Sequence, residues 1–292
     1  MKATRRGWIA GLGMAPLALA QDRKAPPLDI NDFQPKSMLV VDEHIVEKPR
    51  FPVIDIHTHL TFAREGSDRV NFPTPPAEML EVMDRRGIRT LVNLTGGAGE
   101  GVKPFVDALD RAYPGRFVTF TQPFYRRMKE PGYAQMQADA VVAAHKADAR
   151  GLKVLKNLGL VVRDADGKLI KVDDPRFDPM WEACAALKIP VAIHVSDPSA
   201  FFYVTDKYNE RFEELNNHPD WSFHGKDFPS NEELLAARDR VYARHPKTQF
   251  ISVHVGHFAE NLGHVAKSLD RFPNMHVDIA ARIGELGRQP RA

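Results

Sequence analysis

The chain has 292 residues, of which 43% are hydrophobic and 27% charged, a composition that excludes intrinsic disorder, collagen-like repeats and a disulfide scaffold. Its single cysteine, Cys184, excludes an intrachain disulfide, and the formal net charge of +2 gives no sign of the concentrated basic face of nucleic-acid-binding proteins. Histidine is the outlying residue type, with 12 copies, and the positions of these residues decide which functions the sequence favours.

The first twenty residues are typical of a secretory signal peptide. Three basic residues precede an apolar run over residues 7–20, which ends in Ala18-Leu19-Ala20, so cleavage is expected after Ala20. Residues 4–9 (TRRGWI) resemble a twin-arginine signal, and a general secretory signal is the alternative. The run is shorter than the about 20 apolar residues of a bilayer span. We therefore expect export to the periplasm or the cell exterior, without a membrane anchor.

Residues 21–50 are rich in proline and charge and have no clear hydrophobic period. We interpret them as an extended N-terminal arm that precedes the folded domain. Residues 38–41 (MLVV) are the one part of the arm that is apolar enough to predict a short strand.

From residue 51 onward, short β-branched runs alternate with helical patterns. Seven strands are predicted, at residues 53–57, 90–94, 117–120, 152–155, 191–195, 250–254 and 275–279. Six helices are predicted between them, at residues 76–87, 102–113, 133–149, 179–187, 231–245 and 258–272. This order predicts an α/β fold, a TIM (β/α)₈-type barrel over residues 51–292. Because a closed barrel has eight strands, the sequence predicts a barrel truncated after strand seven.

Histidines lie at the ends of three of these strands. Asp55, His57 and His59 share one face of strand one, because side chains alternate along a strand. His194 lies at the end of strand five and His254 at the end of strand six. The carboxyl ends of barrel strands meet at one mouth, where barrel enzymes place their chemistry. Two histidines in an HxH pair alone are usually unrelated, but three strands together predict a metal site that can activate water or polarise a carbonyl.

The motif His57-Thr58-His59, followed in order by His194 and His254, resembles the amidohydrolase superfamily. More narrowly, residues 50–292 resemble the amidohydrolase-related family 2, which includes aminocarboxymuconate-semialdehyde decarboxylase and related decarboxylases, hydratases and lactonases. The resemblance implies a distorted barrel with one divalent metal ion, usually Zn, with Mn or Fe as alternatives. It implies that His57, His59 and His194 are metal ligands and that His254 is a general acid/base or holds substrate. It also implies an aspartate at the end of strand eight, a role that we do not assign to Asp278 of strand seven.

Four further residues are candidates at the predicted mouth. Asp55 either orients a ligand imidazole or is satisfied by backbone, and the sequence leaves both open. Lys153 on strand four is costly inside a barrel unless it meets an anion or a metal cluster. We favour contact with an anionic substrate or with a residue behind the metal ligands over a role in bridging two metals or an ordinary outward or salt-bridged lysine. Arg282 also meets an anionic substrate or forms a structural salt bridge. His257 lies outside the usual motif spacing and is interpreted as structural.

These patterns predict an exported metal-dependent hydrolase of a small, carboxylate-bearing substrate. Metal-activated water would attack an ester, lactone or amide carbonyl, and His254 would assist proton transfer. The first alternative is a non-oxidative decarboxylase of a small unsaturated or aromatic acid. The second is a metal- or ligand-binding protein without turnover, because strand eight is missing. We expect a small-molecule substrate and no nucleic-acid partner, and a homo-oligomer stays open.

Overall fold

The computed structural model describes residues 28–62 and 70–289, and the predicted signal peptide lies outside this part of the chain. Two units are distinguished, Met1–Ile45 and Val46–Ala292. Residues 28–45 are exposed and contain one short 3₁₀ turn, Ile30–Asp32. The strand predicted at residues 38–41 is wrong, because no strand within residues 28–62 and 70–289 pairs with its backbone groups.

Seven parallel strands form the framework of the second unit in the part of the chain that the structure describes. They are β1 Val53–Thr58, β2 Ile88–Asn93, β3 Phe117–Thr119, β4 Leu152–Val154, β5 Val191–Ile193, β6 Phe250–Ser252 and β7 Met275–Val277. One sheet has the order β1-β2-β3 and the other the order β4-β5-β6-β7. A parallel bridge between Thr121 and Leu152 joins the two sheets. The strand order therefore follows the chain order, as in a TIM barrel, and the predicted fold class is confirmed.

Five helices of ten or more residues connect these strands. They are α1 Pro76–Arg86, α2 Tyr133–Lys146, α3 Asp178–Leu187, α4 Asn231–Arg244 and α5 Leu262–Arg271. The helix predicted at residues 102–113 instead forms three consecutive segments of different helical type, Gly99–Val102, Lys103–Val106 and Asp107–Arg111. The last helix begins four residues later than predicted, because the Asn261 side chain caps it by accepting a hydrogen bond from the backbone N–H of His264.

Two apolar clusters fix the strands in place. The larger one packs β4–β7 against α2, α3 and α4 and contains fully buried Trp181, Tyr242 and Phe250. The smaller one joins side chains from both sheets, namely Val92, Leu94, Phe120, Ala192 and Val253. Because residues of β2, β5 and the ends of β3 and β6 touch one another, the two sheets curve around a common, filled interior. The carboxyl ends of the strands consequently face one mouth.

Gly96, just after β2, lies where the chain has no room for a side chain. A Cβ atom there would be 2.2 Å from Thr119 Cγ2 and 2.7 Å from the Phe120 carbonyl oxygen. We expect Gly96→Ala to displace the end of β3 and to lower the free energy of unfolding by about 1–3 kcal/mol. Gly101→Ala is the control, because a Cβ at Gly101 meets no atom within 4 Å. Equal urea midpoints for the two variants would contradict this expectation.

Among the helices of the described residues, none is long and apolar enough to cross a membrane.

Candidate metal centre

Five imidazole rings lie in a row at the barrel mouth. The centroid distances are 5.4 Å from His59 to His57, 4.8 Å from His57 to His254, 4.6 Å from His254 to His194 and 5.4 Å from His194 to His257. The structure therefore brings together all four histidines that the sequence nominated. His257, which the sequence analysis interpreted as structural, is the fifth ring of the row.

The parallel strands explain why these rings meet. Side-chain alternation along β1 leaves Ile54 and Ile56 exposed and turns Asp55 and His57 toward the interior. His194 directly follows β5, and His254 comes two residues after β6. The ends of these three strands thus bring their histidines together at the mouth.

Asp278, which follows β7, is the hydrogen-bonding centre of this group. Its Oδ2 lies 2.7 Å from His57 Nδ1, and its Oδ1 accepts the backbone N–H of His254 at 2.8 Å and that of Ala280 at 3.1 Å. Burial, the largest single influence, would raise the pKa of Asp278, but the hydrogen bond and charge of His57 together with the contacts to His254 outweigh it and lower this pKa below its usual range. No site role was predicted for Asp278 from the sequence, but its carboxylate lies against the nominated residues His57 and His254.

The hydrogen bonds determine which ring nitrogens are available. A carboxylate only accepts, so in the neutral ring of His57 the proton is on Nδ1 and the lone pair is on Nε2. His254 Nδ1 lies 2.8 Å from the carbonyl oxygen of Ala280, which also only accepts. His254 therefore has a free lone pair on Nε2 as well. Both rings are in the tautomer that leaves Nε2 free to bind a metal ion or accept a proton.

His57, His254 and Asp278 form a group whose ligand atoms all lie within 4.8 Å of one another, so these residues could hold one metal ion. Burial lowers the pKa of His254 to about 3. Neutral imidazoles and a carboxylate are the protonation states that metals bind. This donor set therefore fits a divalent ion.

His59 and His194, the other nominated ligands, flank this group. Burial lowers the pKa of His194 to about 4, and partial burial together with the charge of Lys153 lowers that of His59 to about 4. Both rings are consequently neutral near pH 7 and can bind metal. The group of three contains His57 but neither His59 nor His194, so the predicted ligand set stays a prediction.

Asp197, three residues after His194, is a site residue that sequence reasoning missed. Its Oδ1 lies 3.3 Å from His194 Nε2, and its Oδ2 accepts a hydrogen bond from Lys156 Nζ. Burial would raise the pKa of Asp197, but the contacts with His194 and Lys156 lower it well below its usual range. Nothing in a single sequence distinguishes this aspartate from the others of the segment between β5 and α4.

Lys153 on β4 points into the barrel. Its side chain is fully buried, and its Nζ has no hydrogen-bond partner among the described residues. Burial lowers its pKa to about 7, although the charge of Asp278 acts in the opposite direction. The outward-facing alternative for Lys153 is therefore wrong, and a buried amine is left for a ligand to meet.

The two remaining nominated residues have backbone partners. Asp55 Oδ1 accepts the backbone N–H of His57 at 3.1 Å, which is the backbone-satisfied alternative. Arg282 is largely buried, its Nη1 donates to the Ala281 carbonyl at 2.8 Å, and its charge contributes to lowering the pKa of His254, which burial mainly causes. Arg282 therefore lies near the histidine row without an ion pair in the described part of the chain.

The segment after β6 has a left-handed backbone. His254, Val255, Gly256 and His257 have φ angles of 56°, 58°, 66° and 62°. The left-handed conformation costs about 1–2 kcal/mol for each residue with a Cβ, and a β-branched valine is an outlier there. Strain of this kind persists only where surrounding contacts hold it, and it clusters at functional sites.

The sequence matches the family model described as Amidohydrolase over residues 54–291. No curated protein matches the chain. Among solved structures, it is similar to a 2,6-dihydroxybenzoate decarboxylase from Rhizobium, with a TM-score of 0.50 and 16% identity over 81% of this chain and 85% of that chain. An amidohydrolase II has a TM-score of 0.49 and 14% identity over 79% of each chain. A dihydroorotase from Campylobacter jejuni has a TM-score of 0.44 and 13% identity over 82% of this chain and 59% of that chain.

Proposed function

The chain belongs to the amidohydrolase family, and from this premise we propose that it is a metal-dependent hydrolase acting on a carbonyl of a small ester, lactone or amide. The observation that carries the proposal is the group of His57, His254 and Asp278, whose ligand atoms lie within 4.8 Å of one another at the barrel mouth. Free Nε2 lone pairs on the two imidazoles give this group the chemistry of a metal centre.

His57 belongs both to this group and to the ligand set predicted from the sequence, so we assign it as a ligand. His59 and His194 complete the predicted set, most simply for Zn, with Mn or Fe as alternatives. A divalent ion held there would lower the pKa of water and polarise a substrate carbonyl. Asp278 keeps His57 in the required tautomer by accepting its Nδ1 proton.

With His57, His59 and His194 as the proposed ligands, His254 lies beside the ion without binding it and is the residue that moves the proton. The Ala280 carbonyl holds its Nδ1–H, so Nε2 accepts a proton from the attacking water and returns it to the leaving group. Burial keeps the pKa of His254 low, at about 3, so the ring is unprotonated at neutral pH.

The buried amine of Lys153 supports a substrate that carries a carboxylate. Its Nζ has no hydrogen-bond partner in the described residues, and an anion bound beside it would offset the cost of a buried cation. Arg282, close to His254, is the second proposed contact for this anion.

A second candidate reaction is non-oxidative decarboxylation of a small unsaturated or aromatic acid. Lys153 favours an acid substrate for this reaction too, and both reactions use the same histidines. Release of carbon dioxide separates the two, because hydrolysis of an ester, lactone or amide releases none.

The test compares the purified chain with a His57→Ala/His59→Ala variant. We expect about one divalent ion per chain by elemental analysis, hydrolysis of a panel of small esters and lactones that stops on chelation, and loss of both in the variant. His276→Ala is the control, because His276 is exposed on β7 and bonds only Gln249 in the described residues. A wild-type chain that binds no divalent ion would refute the proposal.

We also propose that this enzyme is exported. The support is its N-terminal sequence, in which a basic start precedes the apolar run of residues 7–20 and a small-x-small cleavage motif.

A further inference from the structure

We propose that Arg238 is a positioning residue for the metal centre. Its guanidinium holds the left-handed turn that presents His254, and through His257 the same turn fixes the end of β5 that carries His194. The inference rests on the proposed function in treating these rings as part of a metal centre. The ring positions themselves are properties of the metal-free chain.

Arg238 lies on α4 and is among the largest fully buried side chains. Its Nη1 donates to the carbonyl oxygen of Gly256 at 2.5 Å, in the middle of the left-handed turn, and to Ser252 Oγ at 3.4 Å, at the end of β6. One guanidinium nitrogen therefore bonds both Ser252, the last residue of β6, and Gly256, which lies two residues after His254.

The guanidinium is itself held in a single orientation. Asp239 Oδ1 accepts from Arg238 Nε at 3.1 Å and from Nη2 at 2.8 Å, and the guanidinium carbon lies 5.5 Å from the centre of the Tyr242 ring. Three of its nitrogens thus have fixed partners, a geometry that the single ammonium group of lysine cannot reproduce.

The turn needs these hydrogen bonds because its backbone conformation is energetically unfavourable. His254, Val255 and His257 all have positive φ, and only Gly256 adopts that region without cost. The other end of the turn is tied to β7, where the Val255 N–H donates to the Asp278 carbonyl at 2.7 Å. Arg238 on one side and Asp278 on the other therefore hold the conformation that aims His254 at the site.

His257 connects the left-handed turn to the end of β5 by a hydrogen bond. Its Nε2 accepts the backbone N–H of Val195 at 3.2 Å, and its Nδ1 lies 3.5 Å from both Ser252 Oγ and Arg238 Nη1. Val195 is the neighbour of His194, whose ring stacks on His257 at 5.4 Å. His257 therefore ties the turn after β6 to the backbone that orients His194.

The test follows the histidine rings by long-range ¹H–¹⁵N spectroscopy of the full chain, labelled in histidine and free of metal. We expect wild-type His254 as the Nδ1–H tautomer, and altered ring signals of His254 and His194 in Arg238→Lys. We also expect the Co²⁺ dissociation constant of Arg238→Lys to rise at least about 10-fold. Arg240→Gln is the control, because it removes an ion pair with Asp173 from the same helix without touching the turn.

Circular dichroism checks that every variant is folded, so altered ring signals report positioning rather than a general loss of stability. Unchanged ring signals in Arg238→Lys, or equal changes in Arg240→Gln, would overturn the inference. A wild-type chain that fails to bind Co²⁺ would refute the proposed function, while the ring signals would still test Arg238.

Discussion

Replacing Asp278 with alanine is expected to lower the Zn²⁺ or Co²⁺ affinity of the chain by about 100-fold or more. The carboxylate orients His57 through Oδ2 and ties down the backbone of His254 and Ala280 through Oδ1. Loss of the carboxylate removes the hydrogen bonds that orient the His57 ring and hold one end of the strained turn. The same substitution removes a potential ligand atom. Hydrolytic activity should fall with the metal content.

Asp278→Asn separates these contributions. The amide oxygen can still accept the two backbone N–H groups, but the amide NH₂ then faces His57 Nδ1 and donates to it. The ring proton of His57 would move to Nε2, which removes the lone pair that the metal needs. We therefore expect Asp278→Asn to unfold at nearly the wild-type temperature and yet bind metal at least about 10-fold more weakly.

Asp178→Asn is the matched control for both variants. Asp178 Oδ1 lies 3.0 Å from His245 Nε2, a carboxylate–imidazole pair that joins α3 to the end of α4 and contains none of the site residues. Metal titration monitored by the Co²⁺ absorption spectrum measures all three variants. If Asp278→Asn bound Co²⁺ as tightly as Asp178→Asn, Asp278 would have no role in orienting His57.

Replacing Lys153 with methionine is expected to stabilise the metal-free chain at pH 6 by about 2–4 kcal/mol while abolishing binding of a carboxylate substrate. The amine is fully buried without a hydrogen-bond partner in the described residues, and methionine fills a similar volume without a charge. A gain in stability coupled to a loss of function is the signature of a residue kept for its chemistry.

The pH dependence of stability follows from the pKa of Lys153. Burial lowers this pKa from 10.5 in the unfolded chain to about 7 in the folded one. Between about pH 7 and pH 10.5 the unfolded chain therefore binds more protons, so the contribution of Lys153 to stability rises with pH across this window. The stability of Lys153→Met should not show this rise with pH.

Urea unfolding of the metal-free chain at pH 6, 8 and 10 measures both effects. Lys156→Met is the control, because Lys156 is partly exposed and pairs with Asp197, so its removal breaks an ion pair and should destabilise the chain. A Lys153→Met variant that is less stable than wild type at pH 6, or that keeps the wild-type rise toward pH 10, would contradict the assignment of Lys153 as an unpaired buried amine.

The strands and the meeting of the histidines could be predicted from the sequence. Each strand is a short β-branched run between helix-ending signals, and parallel order alone places the carboxyl ends of β1, β5 and β6 at one mouth. Local patterns of this kind suffice because the strand period and the chain order fix where His57, His194 and His254 lie.

The contacts between side chains could not be predicted, because tertiary packing sets them. The sequence predicts that strand six runs to His254, but β6 ends at Ser252, where the backbone turns left-handed and the His254 N–H bonds the Asp278 carboxylate. Asp278 is far from the histidine motif in the sequence, and Arg238 lies within an ordinary helical pattern. Only the fold shows that both hold the same turn.

X-ray diffraction at the zinc absorption edge, from crystals of the full chain grown with zinc, tests the central claim most directly. We expect one strong anomalous peak beside His57 Nε2, within bonding distance of at least two further ligand atoms from His59, His194, His254 and Asp278. The same map would decide between the predicted ligand set and the group that contains Asp278. Zinc bound only at surface residues, with no peak among these imidazoles, would contradict the claim that this mouth is a metal centre.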